Sequence, residues 1–398
     1  MRYSFLQYRR HAFLIFLPAL FFPLIVGMIN YVLDPLQIYH KQKFGQVRFW
    51  NNQRNQNAGK IRSYLAEGGY DSILVGNSVA DNFRPSMIAD YLGWEKTMKL
   101  TVDGGYASEQ AFTVEQALHC KNIKRVLWII RAPNFSIQAK ERWHKTEHTP
   151  FYLYTGSIAD DGPYIFSLDT LKYSFAQLLD KEYPNKWQQD LESLNYWMSR
   201  EKIESLLQYN SNSNLNKLRG KINHKGCRFE VGAKARFPAA NFNILRLMRE
   251  YPEVEFIIAV APKTRQSLAS RSSNSLSRYF GVQKYLVIQT ADLPNARIYG
   301  FENDDIIVAN LANFMDPIHY HSGVSKLMLY KISHDENRLT LKNIDKYIST
   351  ISKKICVYTV QSDFSVMIPL AMQNERNWLS MLLNHVDSDT SVVGKAFF

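Results

Sequence analysis

The stretch Ser72-Ile-Leu-Val-Gly-Asn-Ser-Val-Ala-Asp-Asn-Phe83 (SILVGNSVADNF) runs from a short apolar segment straight into a helix-like one, with Gly76-Asn77-Ser78 at the join. An unbroken apolar run of strand length reads as a strand covered on both faces, because such a strand has no polar side to show. Two readings then compete for Ser78. Its hydroxyl is a nucleophile held at a strand tip, or it caps the following helix, since Ser78-Val79-Ala80-Asp81 has the spacing of a capping box.

Outward from this stretch the same rhythm repeats. MKLTV (98–102), RVLWIIR (125–131), EFIIAVA (255–261) and a shorter DIIVA (305–309) predict further strands. SEQAFTVEQALHC (108–120) and NFNILRLMREY (241–251) place apolar residues three and four apart and predict crossover helices. Strands alternating with helices specify an α/β fold with a parallel sheet. From 135 to 238 the alternation lapses into an aromatic-rich insertion, read as helical and placed beside the sheet as lid, substrate wall or extra scaffold. The tail, 351–398, fits no strand-helix rhythm, and its role stays open.

Upstream, His11 to Leu33 carries no Lys, Arg, Asp or Glu. A helix of that length spans a bilayer. A cleaved signal peptide would have a shorter apolar region followed by a small-residue cleavage site, whereas NYVLDPLQIYH follows here. Residues 1–10 are therefore read as a cytoplasmic N-terminus, 11–33 as an uncleaved inner-membrane anchor and 34–60 as a connector. Residues 61–350 form the α/β body, exported to the periplasm or extracytoplasmic space. Arg2, Arg9 and Arg10 precede the span but His40, Lys41, Lys43 and Arg48 follow it, so positive charge alone does not orient it. Long domains translocate largely regardless of charge, which permits an exported body.

With 398 residues, 46% of them hydrophobic, the chain can bury a large core. Its net charge of +12 is scattered rather than gathered in one block, which favours anionic membranes or polymers as partners and speaks against a nucleic-acid reader. Cys120, Cys227 and Cys356 are odd in number and lack ligand spacing, so they indicate neither a disulfide framework nor a zinc site, while leaving room for one bridge.

In an open parallel sheet, ligands bind beyond the carboxyl ends of the strands. Ser78, DGGYASEQ (103–110) and RAPNFS (131–136) each follow a predicted strand, and NFMDPIHYHSGVSKLMLYKI (313–332) follows the last apolar run. A serine hydroxyl needs a base to take its proton, and an imidazole oriented by a carboxylate is the usual one. Asp316 and His319, three apart, supply that pair. Candidate oxyanion donors are the Ser78 N–H, the N–H of Gly104 or Gly105, and the Asn134 amide. Each has a plain counterpart: DGGY as a turn, Asn134 as a loop former, and Asp316 before Pro317 as an N-cap that leaves His319 and His321 as ordinary polar residues. Two metal readings are weaker. HKTEH (144–148) matches the H-x-x-E-H string but has no evident third ligand, and His319 with His321 lacks a carboxylate partner beyond Asp316.

Together these residues resemble the SGNH/GDSL hydrolase superfamily, and more closely its membrane-anchored bacterial branch, in which a span precedes an Asp-Pro such as Asp34-Pro35. In that resemblance ILVGNSVADNF is the first block with Ser78 as nucleophile, LTVDGGYASEQ the second with Gly104 or Gly105 in the oxyanion hole, and DPIHYHSG the last with Asp316 and His319. The third block departs: no Gly-x-Asn-Asp occurs, and RAPNFS with Asn134 takes its place. The resemblance implies a flavodoxin-like three-layer α/β/α sandwich and a serine esterase or O-acyltransferase without metal or organic cofactor. Its substrate would be acyl groups of an envelope polysaccharide, with membrane partners of envelope biosynthesis. The alternative is a non-catalytic, membrane-anchored subunit that keeps the fold to bind a glycan or assemble a complex, consistent with the altered third block and the aromatic insertion.

Overall fold

The computed structural model describes residues 5–41, 49–50, 52–136, 149–179, 188–189, 226–232, 235–309, 313–314 and 316–358. HKTEH (144–148), most of the 135–238 insertion and the tail beyond 358 lie outside the described residues. The chain divides into two compact units, Met1–Gly69 with Glu147–Asp190, and Tyr70–Thr146 with Leu191–Phe398.

The first unit is built around helix α1 (Phe5–Leu33), whose segment Arg10–Leu33 is long and apolar enough to cross a membrane. Large side chains such as Phe13, Ile15, Phe16 and Leu20 stand exposed along it, as a lipid-facing helix requires. Asp34 ends the helix. Its carboxylate accepts the N–H groups of Ile38, Tyr39 and His40 and the hydroxyl of Tyr164 at 2.7–3.1 Å, all within this unit. Burial pushes the Asp34 carboxyl above its ordinary value, against the pull of those four donors. Arg62 pairs with the buried Asp161 at 3.0 Å, and Asn30 ties α1 to the Ile165 and Ser167 carbonyls.

The second unit holds a six-stranded sheet: β1 (Ser72–Gly76), β2 (Thr97–Thr101), β3 (Arg125–Ile130), β4 (Glu255–Val260), β5 (Ala296–Gly300) and β6 (Arg338–Leu339). The spatial order is β2-β1-β3-β4-β5-β6, parallel throughout except for the antiparallel β6 at the edge. Alternate side chains divide between the faces. Leu74, Leu127, Ile129, Ile257, Ala259 and Tyr299 pack with Met87 and Ile88 of α2 (Pro85–Leu92) and Val324, Leu327 and Met328 of α5 (Ser322–Ser333). On the opposite face Trp128 donates its indole N–H to Gln110 of α3 (Ala107–Leu118) at 2.9 Å. The run Pro238–Ala240, Asn241–Leu245 and Arg246–Glu250, with a π turn inside it, and α4 (Ser273–Gln289) complete the helical cover.

Four of the five predicted strands form within a residue of their expected bounds, and both predicted helices form. The fifth does not. DIIVA turns into a short helix, Asp305–Val308, because Asp304 caps it by accepting the Ile306 N–H at 3.2 Å. The strand at that place in the sheet is instead Ala296–Gly300, ARIYG, whose second residue, Arg297, breaks the apolar run that signals a buried strand. Arg297 is satisfied at the sheet's amino end by an ion pair with Glu255. The described chain also contains a disulfide, Cys227–Cys356, joining the segment before the Pro238 helix to the end of α6 (Ile344–Cys356).

Candidate active site

The strand order reverses at β1, which lies between β2 and β3, and a crevice opens at such a reversal beyond the carboxyl ends of the strands. Gly76 closes β1 with its Cα against β3: a Cβ there would sit 2.6 Å from both Ala80 Cβ and the Ile129 carbonyl oxygen. Only glycine lets the chain leave the strand so tightly. A 3-10 turn, Ser78–Ala80, follows at once.

The cap of that turn is Asn77, whose side-chain oxygen accepts the Val79 N–H at 3.4 Å. The Ser78 hydroxyl is thereby released from capping, and its Oγ lies 2.9 Å from His319 Nε2, 241 positions away in sequence. His319 Nδ1 lies 2.5 Å from Asp316 Oδ2. A carboxylate only accepts, so Nδ1 carries the proton and Nε2 is left as acceptor for the serine hydroxyl. The second carboxylate oxygen, Oδ1, accepts the backbone N–H groups of Ile318 and His319 at 2.8 and 2.9 Å. Asp316 thus caps its own turn and orients the imidazole, which unites two readings that compete in the sequence. Burial raises the Asp316 carboxyl, but its bonds to His319 and to the two backbone amides outweigh this and leave it below the ordinary carboxylate value.

The segment bearing His319 is pinned from both sides. Asn82, one turn beyond Ser78 and fully buried, donates its amide to the Tyr320 carbonyl. Asn313 donates to the Ile306 and Ile307 carbonyls at 2.8 and 2.9 Å, and its own carbonyl accepts the His321 N–H at 3.1 Å. Buried Lys99 of β2 donates to the Asp81 carbonyl at 2.6 Å, holding the far end of the Ser78 turn. Asn82 and Lys99 escape sequence reading because neither belongs to a recognisable catalytic spacing.

Among the oxyanion candidates the two glycines differ. Gly105 donates its N–H to the Val102 carbonyl at 2.8 Å, so that hydrogen is consumed by the turn. Gly104 occupies the left-handed region, φ +63°, with no atom of the described residues where a Cβ would stand, and among the described contacts its N–H and that of Ser78 have no acceptor. Asn134 follows β3 in a 3-10 turn and donates one amide hydrogen to the Gly105 carbonyl at 3.3 Å, which brings its side chain to the second block and leaves the other hydrogen uncommitted. His321 does not join His319: its Nδ1 accepts the Gly323 N–H at 3.0 Å and caps α5. Among the described residues no group of three or more His, Cys, Asp or Glu stands close enough to hold a metal ion.

No protein-family model matches the chain, and no curated protein matches it in sequence. One solved structure that it resembles comes from Streptococcus pneumonia and is provisionally described as a platelet activating factor. The likeness spans 82% of this chain and 98% of that one, at 8% identity and a TM-score of 0.32. So slight a likeness carries no weight for function, which rests on the geometry of the site itself.

Proposed function

We propose that the protein is a membrane-anchored serine hydrolase or O-acyltransferase of the SGNH type, acting on ester-linked acyl groups of an envelope polysaccharide outside the cytoplasm. The observation that carries this reading is the unbroken relay from Ser78 Oγ to His319 Nε2, 2.9 Å, and from His319 Nδ1 to Asp316 Oδ2, 2.5 Å. In the first step His319 takes the Ser78 proton as Oγ bonds to the acyl carbon, and the imidazolium is stabilised by Asp316. The tetrahedral oxyanion is met by the N–H groups of Ser78 and Gly104 and by the Asn134 amide. The imidazolium returns its proton to the departing sugar oxygen, leaving an acyl-enzyme. Water, or a second sugar hydroxyl, then gives up a proton to His319 as it bonds to the acyl carbon, and the imidazolium returns that proton to Ser78 Oγ as the acyl-serine bond breaks.

The strand order with its reversal at β1 supports the flavodoxin-like three-layer arrangement of that superfamily. The Cys227–Cys356 bridge supports an oxidising compartment for the body, with residues 1–10 left in the cytoplasm and α1 in the inner membrane. The test is p-nitrophenyl acetate hydrolysis by the full-length chain in detergent micelles. The expected result is measurable turnover that falls by at least ~1,000-fold in Ser78→Ala. Equal rates in the two proteins would exclude the enzyme and leave the anchored glycan-binding subunit as the better reading.

A further inference from the structure

Three cations, Arg131, Lys263 and Arg271, lie near one another and near the Asp316–His319 turn. Arg131 is the first residue after β3 and stands three positions before Asn134; its Nε is buried with no hydrogen-bond partner among the described residues. Lys263 follows β4 and is 3% exposed, with its ammonium over the Tyr279 ring at 5.4 Å. The neighbouring Thr264 donates its N–H to the Pro317 carbonyl at 3.2 Å, which sets this segment directly against the Asp316–His319 turn. Arg271 donates to Ser275 Oγ at 3.0 Å and likewise keeps a buried Nε without a partner among the described residues. The three are close enough to act on one another: burial first, then the charges of Arg271 and Arg131, bring the Lys263 ammonium down to about 7.

The carboxylates nearby are already committed. Both oxygens of Asp316 are taken by His319 and by backbone amides, and the fully buried Glu302 accepts the hydroxyls of Tyr279 and Tyr347 and the amide of Gln283. Among the described residues none of the three cations forms an ion pair. Three neighbouring cations, faced only by carboxylates whose oxygens are already engaged elsewhere, leave positive charge to spare, and such a cluster beside a reactive serine has the chemistry of a receptor for an anion. We propose that Arg131, Lys263 and Arg271 form a subsite for an anionic group, a carboxylate or a phosphate, borne by the acylated glycan and seated next to the ester. This rests on the reading of Ser78 as the acyl nucleophile. Arg131 and Asn134, on one short turn, would couple recognition of the anion to the donor that meets the oxyanion.

The test is binding to the full-length chain in neutral detergent, by calorimetry at pH 7, of methyl glucuronide against methyl glucoside and of glycerol 3-phosphate against glycerol. The expected result is at least one anion bound roughly tenfold or more above its neutral partner, a preference that weakens between about 50 and 500 mM salt. Which anion is preferred identifies the carboxylate or the phosphate as the source. Ser78→Ala should retain the preference; Lys263→Met and Arg131→Gln should lose it. Wild-type protein that binds charged and neutral ligands alike overturns the proposal, whatever the folding of the variants, as does a preference intact in both variants when folded. Anion preference in a chain without esterase activity upholds the subsite and overturns only the acyl-transfer reading.

Discussion

Ser78 owes its hydrogen bond with His319 to its neighbour. Asn77 takes over the capping bond, so the hydroxyl one residue later faces His319 rather than its own backbone. At this scale the three members of the proposed relay are legible in the sequence, because their residue types and the Asp316–His319 spacing are what acyl transfer by a serine would need. Lys263 and Arg131 are not legible, since a lone cation after an apolar run looks the same in sequence whether solvated or buried. Lys263 yields a prediction of its own. Burial first, then repulsion by Arg271 and Arg131, bring its ammonium down to about 7 from an ordinary 10.5, against the attraction of Glu302 and Asp316. Between those pH values the unfolded chain binds a proton that the folded chain does not, so this group's contribution to stability rises with pH through the window, and its cost is fully present below pH 7. Lys263→Met should therefore stabilise the ligand-free protein, by roughly 2–4 kcal/mol at pH 6, with the gain shrinking toward pH 10 in thermal melts. A gain independent of pH would show that the ammonium is not the cause.

Elements carry the geometry between these residues. The turn after β1 and the strap 316–321 are joined through the Asn82 amide and the Tyr320 carbonyl, one residue from the catalytic imidazole proposed above. Asn82→Ala leaves that buried carbonyl without its donor and frees the strap, which is expected to cost about 1–3 kcal/mol of stability. In ester hydrolysis it should lower kcat by ~10-fold or more while changing KM little, because it misplaces the base without touching substrate. An unchanged kcat would show that the strap is held elsewhere. The strand-helix alternation was readable wherever strands are apolar from end to end. It failed at β5, where Arg297 interrupts the run, and at DIIVA, where the sequence is as apolar as a strand but Asp304 caps a helical turn. The differing fates of Gly104 and Gly105 were likewise invisible, since the turn that consumes the Gly105 N–H is a matter of backbone direction.

For the whole molecule, the membrane-length helix and the disulfide bear on where the body works, and the +12 net charge on what it meets there. The bridge joins cysteines 129 positions apart, a pairing that an odd number of widely spaced cysteines left open. The parallel sheet brings four distant blocks to one edge, and this convergence is what turns separate polar residues into a site. The most direct measurement is treatment of the folded full-length chain with a fluorophosphonate, followed by mass-spectrometric mapping. The account predicts one adduct, on Ser78, absent from His319→Gln; a folded chain that leaves Ser78 unlabelled, or labels it equally without His319, would contradict it.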